Sequence, residues 1–158
     1  MKMMGLLKEG WRILNVDESF INESSFNRKM WCPTKSPSTV NEKQIIPRLA
    51  LIAALDTDGQ VYFSLNHANT DSQVMILFLS QLIFVLDQEI PDHRTNTIIL
   101  LDGAKYHTSA EVREFLKKTG INYMFSAPYS YSTAAIELLF SGLKTNQLFP
   151  HNQGTGKK

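Results

Sequence analysis

Alternating apolar and polar blocks along the chain predict a succession of short strands and helices. Residues 12–16 form a β-prone apolar block that ends at an aspartate, which predicts a first strand. Residues 49–55 and 60–65 are extended blocks on either side of an Asp-Thr-Asp-Gly turn signal at 56–59, and this pattern predicts a β-hairpin. The polar stretch at 26–43, rich in Ser, Thr, Asn and Pro, predicts an edge hairpin or a loop.

The second half of the chain predicts alternating helices and strands. Apolar residues recur at helical spacing over residues 74–86, before Pro91, and they predict a helix that covers the sheet. The continuous β-branched and leucine run at 97–101 predicts a strand that is buried on both faces. A helix over 111–118, a strand over 121–125 and a helix over 134–143 follow. This order predicts an α/β domain with a mixed sheet.

Composition and charge limit the classes of protein to which the chain can belong. With 158 residues and 43% hydrophobic content, we expect a single domain over 1–158, with a core at 12–149 and a polar, mobile tail at 150–158. The net charge of +1 gives no global electrostatic sign of a nucleic-acid or membrane partner. The longest apolar run is shorter than a membrane span of about 20 residues, and the single cysteine, Cys32, fits a reducing compartment. We therefore expect an intracellular protein with no membrane partner.

Three acidic residues occupy apolar surroundings. Asp17 and Asp102 each follow an apolar strand, and Glu137 lies among apolar residues of the last predicted helix. Burying a carboxylate is costly unless a cation compensates its charge, and oxygen ligands suit Mg²⁺ or Mn²⁺. Two such ions about 4 Å apart can serve phosphodiester chemistry. Each acid taken singly has an ordinary alternative, since a strand-end aspartate often caps a turn and a helical glutamate often faces solvent.

Three sequence blocks resemble the signature blocks of mariner-like DDE transposases, and they occur in the same order as in that family. The blocks are Asn-Val-Asp-Glu-Ser at 15–19, Leu-Leu-Asp-Gly-Ala-Lys-Tyr-His at 100–107, and Ala-Pro-Tyr-Ser at 127–130 followed by Ile-Glu-Leu-Leu-Phe-Ser-Gly-Leu-Lys at 136–144. Thirty-four residues separate Asp102 from Glu137, a spacing typical of one branch of this superfamily. The resemblance covers nearly the whole chain.

The resemblance implies an RNase H-like fold, with a central mixed five-stranded sheet flanked by helices. In that fold Asp17 and Asp102 lie on adjacent central strands, and Glu137 reaches them from a helix. The resemblance further implies that these three acids are catalytic and bind two Mg²⁺ or Mn²⁺ ions. The implied function is that of a DNA transposase core, which cleaves a phosphodiester with activated water and joins the resulting 3′-hydroxyl to target DNA.

The same resemblance implies partners and a location. DNA is the expected partner, with Lys105, His107 and Lys144 as candidate nucleic-acid contacts near the acids in sequence. Because transposases of this kind usually act as dimers, a homodimer is expected as well. The expected location is the nucleus in a eukaryote and the cytoplasm otherwise.

The chain departs from the family pattern in two places, and the departures keep alternatives open. Residues 131–135, Tyr-Ser-Thr-Ala-Ala, replace the usual Pro-Asp-Leu-Asn-Pro before Glu137. The eleven residues before the first strand are too few for a helix-turn-helix module, so we expect no sequence-specific DNA-binding domain in this chain. One alternative is a hydrolytic RNase H-like nuclease that uses the same acids. The other is an inactive or truncated transposase-derived module for DNA binding or oligomerisation.

Overall fold

The computed structural model describes residues 2–21, 49–67, 69–126 and 135–146, with side chains described from residue 5 to residue 143 within these ranges. Its elements, in chain order, are α1 (Lys2–Lys8), β1 (Arg12–Ile21), β2 (Leu49–Asp56), β3 (Val61–Asn66), α2 (Ser72–Glu89), a short 3-10 helix (His93–Thr95), β4 (Thr97–Leu101), α3 (Ala110–Thr119), β5 (Asn122–Phe125) and α4 (Ala135–Asn146). The predicted loop at 26–43, the sequence block at 127–130 and the predicted tail at 150–158 lie outside the described residues.

The five strands form one mixed sheet in the order β3-β2-β1-β4-β5. β1 pairs antiparallel with β2, and β2 pairs antiparallel with β3, which confirms the predicted hairpin. On its other side β1 runs parallel to β4, and β4 runs parallel to β5. The expected mixed five-stranded sheet is therefore confirmed. The edge at which β1, β4 and β5 end their parallel pairing is called the carboxyl edge below.

β1 is longer than the sequence predicted. The expected strand ended before Asp17, whereas β1 continues to Ile21, opposite Leu49 of β2. Pairing with β2 extends the strand through the polar residues that signalled its end, because tertiary pairing outweighs local β-propensity. The parallel pairing with β4 does stop early, at Val16 opposite Leu101. Asp17 is therefore still paired with β2, but it lies one residue beyond the end of the pairing with β4.

Capping interactions set the ends of the two predicted helices that follow the hairpin. The Asp71 side chain accepts a hydrogen bond from the Val74 N–H at 2.9 Å and begins α2. The Ser109 hydroxyl accepts from the Val112 N–H at 3.3 Å and begins α3. Gly120 ends α3 in the left-handed region at φ 69°, which favours glycine. The short helix α1 was not predicted, since seven residues carry too little periodicity to signal a helix.

Helices cover both faces of the sheet. α2 and α3 pack on one face, where the largest hydrophobic cluster lies. α4 covers β1 and β2 on the other face through its buried residues Ile136 and Phe140. All of β4 is buried between the layers, as its continuous apolar run predicted. Among the helices of the described ranges, none combines the length and the apolar character needed to cross a membrane.

Candidate active site

The parallel pairing of β1 with β4 brings two aspartates side by side. That pairing ends at Val16 opposite Leu101, and the next residue on each chain segment is an aspartate. Asp17 lies on β1, the central strand of the five, and Asp102 directly follows the neighbouring strand β4. Both side chains are partly buried. Two carboxylates therefore share the carboxyl edge of the sheet.

Local hydrogen bonds orient both carboxylates. Oδ1 of Asp17 accepts from the backbone N–H of Glu18 at 2.8 Å. Oδ1 of Asp102 accepts from the backbone N–H of Ala104 at 2.9 Å and also from Nδ1 of His107. The turn after β4 is thus folded around the Asp102 side chain, which fixes the carboxylate relative to the sheet.

The two neighbouring carboxylates ionise differently. Burial is the main cause that raises the pKa of Asp17 to about 6. The hydrogen bond from Glu18 opposes this rise in pKa, whereas the negative charges of Asp102 and Glu137 add to it. By contrast, the hydrogen bond from His107 is the main cause that lowers the pKa of Asp102. Asp17 is therefore the carboxylate whose negative charge is poorly compensated.

Glu137 lies in the first turn of α4, on the layer that covers β1 and β2. Its side chain is exposed, while the preceding Ile136 is fully buried against the sheet. The charge of Glu137 raises the pKa of Asp17, so the two carboxylates lie within electrostatic reach of each other. In the described ranges, however, no group of three or more His, Cys, Asp or Glu side chains is close enough together to hold a metal ion.

The donor set fits a hard divalent cation. Asp17 and Asp102 offer carboxylate oxygens from adjacent strands, and Glu137 adds a third carboxylate from α4. Mutual repulsion between carboxylates favours their separation, and a bound cation would offset that repulsion.

His107 is completely buried beneath the candidate site. Its Nδ1 hydrogen-bonds Asp102, and its ring meets the Tyr106 ring edge-on, with centroids 4.4 Å apart. In the described part of the chain, its Nε2 has no hydrogen-bond partner. These contacts make His107 a positioning residue for Asp102. Its direct contact with nucleic acid stays a prediction, and it would require the ring to become accessible.

The two lysines predicted to contact nucleic acid lie on different elements. Lys105 is exposed in the turn after β4, three residues beyond Asp102. Lys144 belongs to α4, and its side chain lies outside the described part of the structure. The exposed ammonium of Lys105 is therefore available to a partner at the carboxyl edge.

A hydrogen bond between Tyr106 and Glu18 was missed at the sequence level. The Tyr106 hydroxyl donates to Oε1 of Glu18 at 2.5 Å, and this bond ties the turn after β4 to β1. Burial and the Glu18 carboxylate both raise the pKa of Tyr106. Both residues belong to the sequence blocks that carry the aspartates, but 88 positions separate them, so nothing local signals their contact.

We expect Tyr106→Phe to destabilise the protein by about 1–3 kcal/mol, because it leaves a partly buried Glu18 carboxylate without its donor. Urea unfolding of the purified chain measures the loss. Tyr123→Phe is the matched control, since the described part of the chain shows no hydroxyl partner for Tyr123, whose ring packs against the hydrophobic core and edge-on against Phe125. Equal stability of the two variants would show that the hydrogen bond contributes nothing.

We expect Asp17→Asn to stabilise the metal-free protein at pH 7 by about 1 kcal/mol. The folded-state pKa of Asp17 is about 6, above its usual value near 4. Ionisation of Asp17 therefore weakens the fold as the pH rises from about 4 to about 6, and removing the charge restores that stability. The expected gain is smaller than the free energy that corresponds to the full pKa shift, because Asp17 is partly exposed to solvent.

Urea unfolding at pH 7 and at pH 4 tests this prediction, since the gain from Asp17→Asn should vanish at the lower pH. Asp58→Asn makes the same chemical change at a side chain that is 73% exposed and forms a long, 3.9 Å ion pair with Arg12, and it should leave stability nearly unchanged. A loss of stability in Asp17→Asn at pH 7 would show that the ionised Asp17 carboxylate does not weaken the fold.

Residues 12–153 match the family described as DDE superfamily endonuclease. The structure is similar to the Mos1 mariner paired-end complex with Mn, with a TM-score of 0.68 and 22% identity over 90% of this chain and 46% of that chain. It is also similar to the catalytic domain of the Mos1 mariner transposase, with a TM-score of 0.64 and 21% identity over 93% of this chain and 69% of that chain.

A more distant similarity joins the chain to the catalytic core domain of BIV integrase, with a TM-score of 0.51 and 16% identity over 84% of this chain and 66% of that chain. No curated protein sequence matches the chain. The chain spans less than half the length of the Mos1 protein in the paired-end complex. These structural similarities confirm the RNase H-like fold that the sequence resemblance implied.

Proposed function

The chain belongs to the DDE superfamily endonucleases, and on this premise we propose that it is the catalytic core of a DNA transposase. The proposed reaction is metal-dependent cleavage of a phosphodiester followed by transfer of the 3′ end to target DNA. The observation that carries the proposal is the pair Asp17 and Asp102, side by side at the carboxyl edge, with Glu137 within electrostatic reach.

Asp17, Asp102 and Glu137 are the residues that would hold Mg²⁺ or Mn²⁺. Two such ions, when bound, would supply an activated nucleophile and stabilise the leaving oxygen. The chain itself contributes the geometry: β1 and β4 fix two carboxylates, and the buried His107 orients Asp102 through a hydrogen bond. Similar structures named as Mos1 catalytic domain with Mn and with Mg support this choice of ions.

DNA is the proposed partner of the carboxyl edge. Lys105 is exposed beside Asp102, and Lys144 lies on the helix that carries Glu137. Similar structures include a Mos1 paired-end complex with left transposon end and a Mos1 strand transfer complex. Phosphate neutralisation by such basic residues supplies affinity without reading sequence. A homodimer and an intracellular location, nuclear in a eukaryote, belong to the same proposal.

One observation favours a second candidate, a non-enzymatic module derived from a transposase. Glu137 is exposed, and among the described side chains no set of three ligands closes around a metal position. A small displacement of one ligand can lower a rate about a hundredfold. Divalent-metal binding separates this candidate from the enzyme.

The test of the proposed function combines metal binding with a joining assay on the wild-type chain. Mn²⁺ is titrated by calorimetry, and the protein is then incubated with a labelled 3′-hydroxyl duplex and a supercoiled plasmid. Label joined covalently to plasmid supports a transposase core, whereas nicking without joining supports a hydrolytic nuclease. Folded protein that neither binds Mn²⁺ nor cuts DNA would overturn the proposal in favour of the non-enzymatic module.

A further inference from the structure

Arg113 is an exposed residue of α3 whose guanidinium is held at two points. Its Nε donates a hydrogen bond to the backbone carbonyl of Thr108 at 2.8 Å. Its Cζ lies 4.6 Å from the centre of the Phe125 ring, within the range of a cation–π contact. An exposed arginine is therefore fixed in place, although long charged side chains at a surface usually sample many rotamers.

The groups that hold Arg113 are themselves fixed to the sheet. The backbone N–H and the hydroxyl of Thr108 both donate to the Ala104 carbonyl at 3.0 Å. Phe125 ends β5, and the next residue, Ser126, donates its N–H to the Leu101 carbonyl at 2.8 Å. The guanidinium thus rests on a platform that is continuous with the central strands.

That platform adjoins the candidate active site. Thr108 directly follows His107, the buried residue that orients Asp102. Phe125 pairs with Leu101, the last residue of β4 before Asp102. Both anchors of Arg113 therefore belong to the carboxyl edge, where the proposed metal ligands lie.

The chemistry of the held group favours a phosphate partner. A guanidinium carries five N–H donors in a rigid fork that matches phosphate oxygens, and the described hydrogen bond of Arg113 uses Nε alone. Glu114, the adjacent acid on α3, is engaged by Lys118 at 2.8 Å. No ion pair within the described residues involves Arg113. Pre-ordering the side chain lowers the entropy lost when it binds.

We propose that Arg113 contacts a phosphate of the DNA backbone beside the scissile position. This inference rests on the proposed function, and it adds a binding residue that none of the three sequence blocks contains. Its role is to hold the strand against the carboxyl edge, together with the exposed Lys105 in the neighbouring turn.

The experiment measures how DNA affinity depends on salt. A fluorescein-labelled duplex of random sequence is bound by the full chain without divalent metal, and anisotropy is followed over a series of KCl concentrations. Arg113→Gln is compared with Lys117→Gln, which removes the same charge from an exposed position in the last turn of the same helix. Arg113→Lys keeps the positive charge but removes the forked N–H donors of the guanidinium.

We expect Arg113→Gln to weaken binding roughly tenfold at low salt and to reduce the slope of log affinity against log salt by about 0.9, the loss of one phosphate contact. Lys117→Gln should leave the slope unchanged, and Arg113→Lys should keep the slope with lower affinity. A wild-type slope in a folded Arg113→Gln variant would overturn the inference while leaving Mn²⁺-dependent cleavage, and thus the proposed function, intact. Wild-type protein that shows no salt-dependent DNA binding would also overturn the inference, whereas the proposed function is decided separately by Mn²⁺ binding and DNA cleavage.

Discussion

Replacing Asp102 by asparagine is expected to lower Mn²⁺-dependent DNA cleavage by about a thousandfold or more. The substitution removes one of the two carboxylates that adjacent strands bring together at the carboxyl edge. Metal ions contribute several kcal/mol to transition-state stabilisation in phosphodiester chemistry, and each 1.4 kcal/mol or so is a factor of about ten in rate. The rate of nicking of a labelled duplex, measured with and without Mn²⁺, gives the effect directly.

The fold of the Asp102→Asn variant should survive. The asparagine carbonyl oxygen can still accept the hydrogen bond from the Ala104 N–H, so the turn after β4 keeps its shape. A loss of cleavage activity in this variant can then be attributed to the lost charge and not to a lost fold. Thermal unfolding of the metal-free variant provides the check.

Asp92→Asn is the matched control for this activity measurement. Asp92 is exposed and precedes the opposite end of β4, so the same chemical change is made far from the candidate site. Asp92 also has φ 62°, a left-handed conformation that asparagine accepts. Asp92→Asn should cleave DNA at the wild-type rate. An Asp102→Asn variant that keeps more than about a tenth of the wild-type rate would show that Asp102 is not a metal ligand.

Local pattern was sufficient to predict most of the framework. The β-branched and leucine run of β4 signalled a strand buried on both faces, and that strand contributes Ile99 and Leu101 to the largest hydrophobic cluster and Ile98 and Leu100 to a smaller one. The turn signal at 56–59 placed the hairpin, and the helical spacing of apolar residues over 74–86 placed α2. These features depend on a few neighbouring residues, so one sequence is enough to specify them.

The parts that could not be predicted depend on residues far apart in the chain. Nothing near Asp17 shows that pairing with β2 would carry β1 past it. The contact of Tyr106 with Glu18 joins the turn after β4 to β1 through side chains, and the contact of Arg113 with Phe125 joins a helix to the last strand. Patterns of charge and hydropathy reflect neighbouring residues, so they do not reveal contacts between residues that are far apart in the chain. The aspartates stood out by their position after apolar strands, and the family resemblance then identified them as candidate metal ligands.

A buried ion pair at the other end of β1 was also missed, and it supports the largest stability prediction. Nε of Arg12 donates to Oδ2 of Asp56 at 2.7 Å, and Nη2 of Arg12 contacts the same oxygen. Oδ1 of Asp56 accepts from the backbone N–H groups of Asp58 at 2.9 Å and Gln60 at 2.7 Å. Tyr62 completes the set by accepting from Arg12 at 3.1 Å. Asp56 had been predicted only as part of a turn signal, yet its carboxylate organises both the turn and the arginine.

Asp56→Ala is expected to destabilise the protein by about 3–5 kcal/mol, because it strands the buried Arg12 charge and frees the two turn N–H groups. The midpoint and slope of urea unfolding measure the loss. Asp58→Asn removes an exposed carboxylate that lies 3.9 Å from Nε of Arg12, and the loss of this exposed ion pair should change stability by less than about 0.5 kcal/mol. A loss below about 1 kcal/mol in Asp56→Ala would mean that water reaches and solvates Arg12.

The double variant Arg12→Met/Asp56→Ala distinguishes the effect of the unpaired Arg12 charge from the effect of the lost hydrogen bonds in the turn. Removing both charges should recover part of the stability lost in Asp56→Ala, since an apolar side chain in place of Arg12 needs no counter-ion. The unrecovered part measures what the two N–H groups of the turn lose, because no carboxylate is left to accept from them. Arg12 and Asp102 lie toward opposite ends of the β1–β4 pairing, so the folded fraction of either variant should cleave DNA at the wild-type rate. Loss of cleavage in fully folded protein would instead show that the ion pair at one end of the sheet affects the candidate active site at the other end.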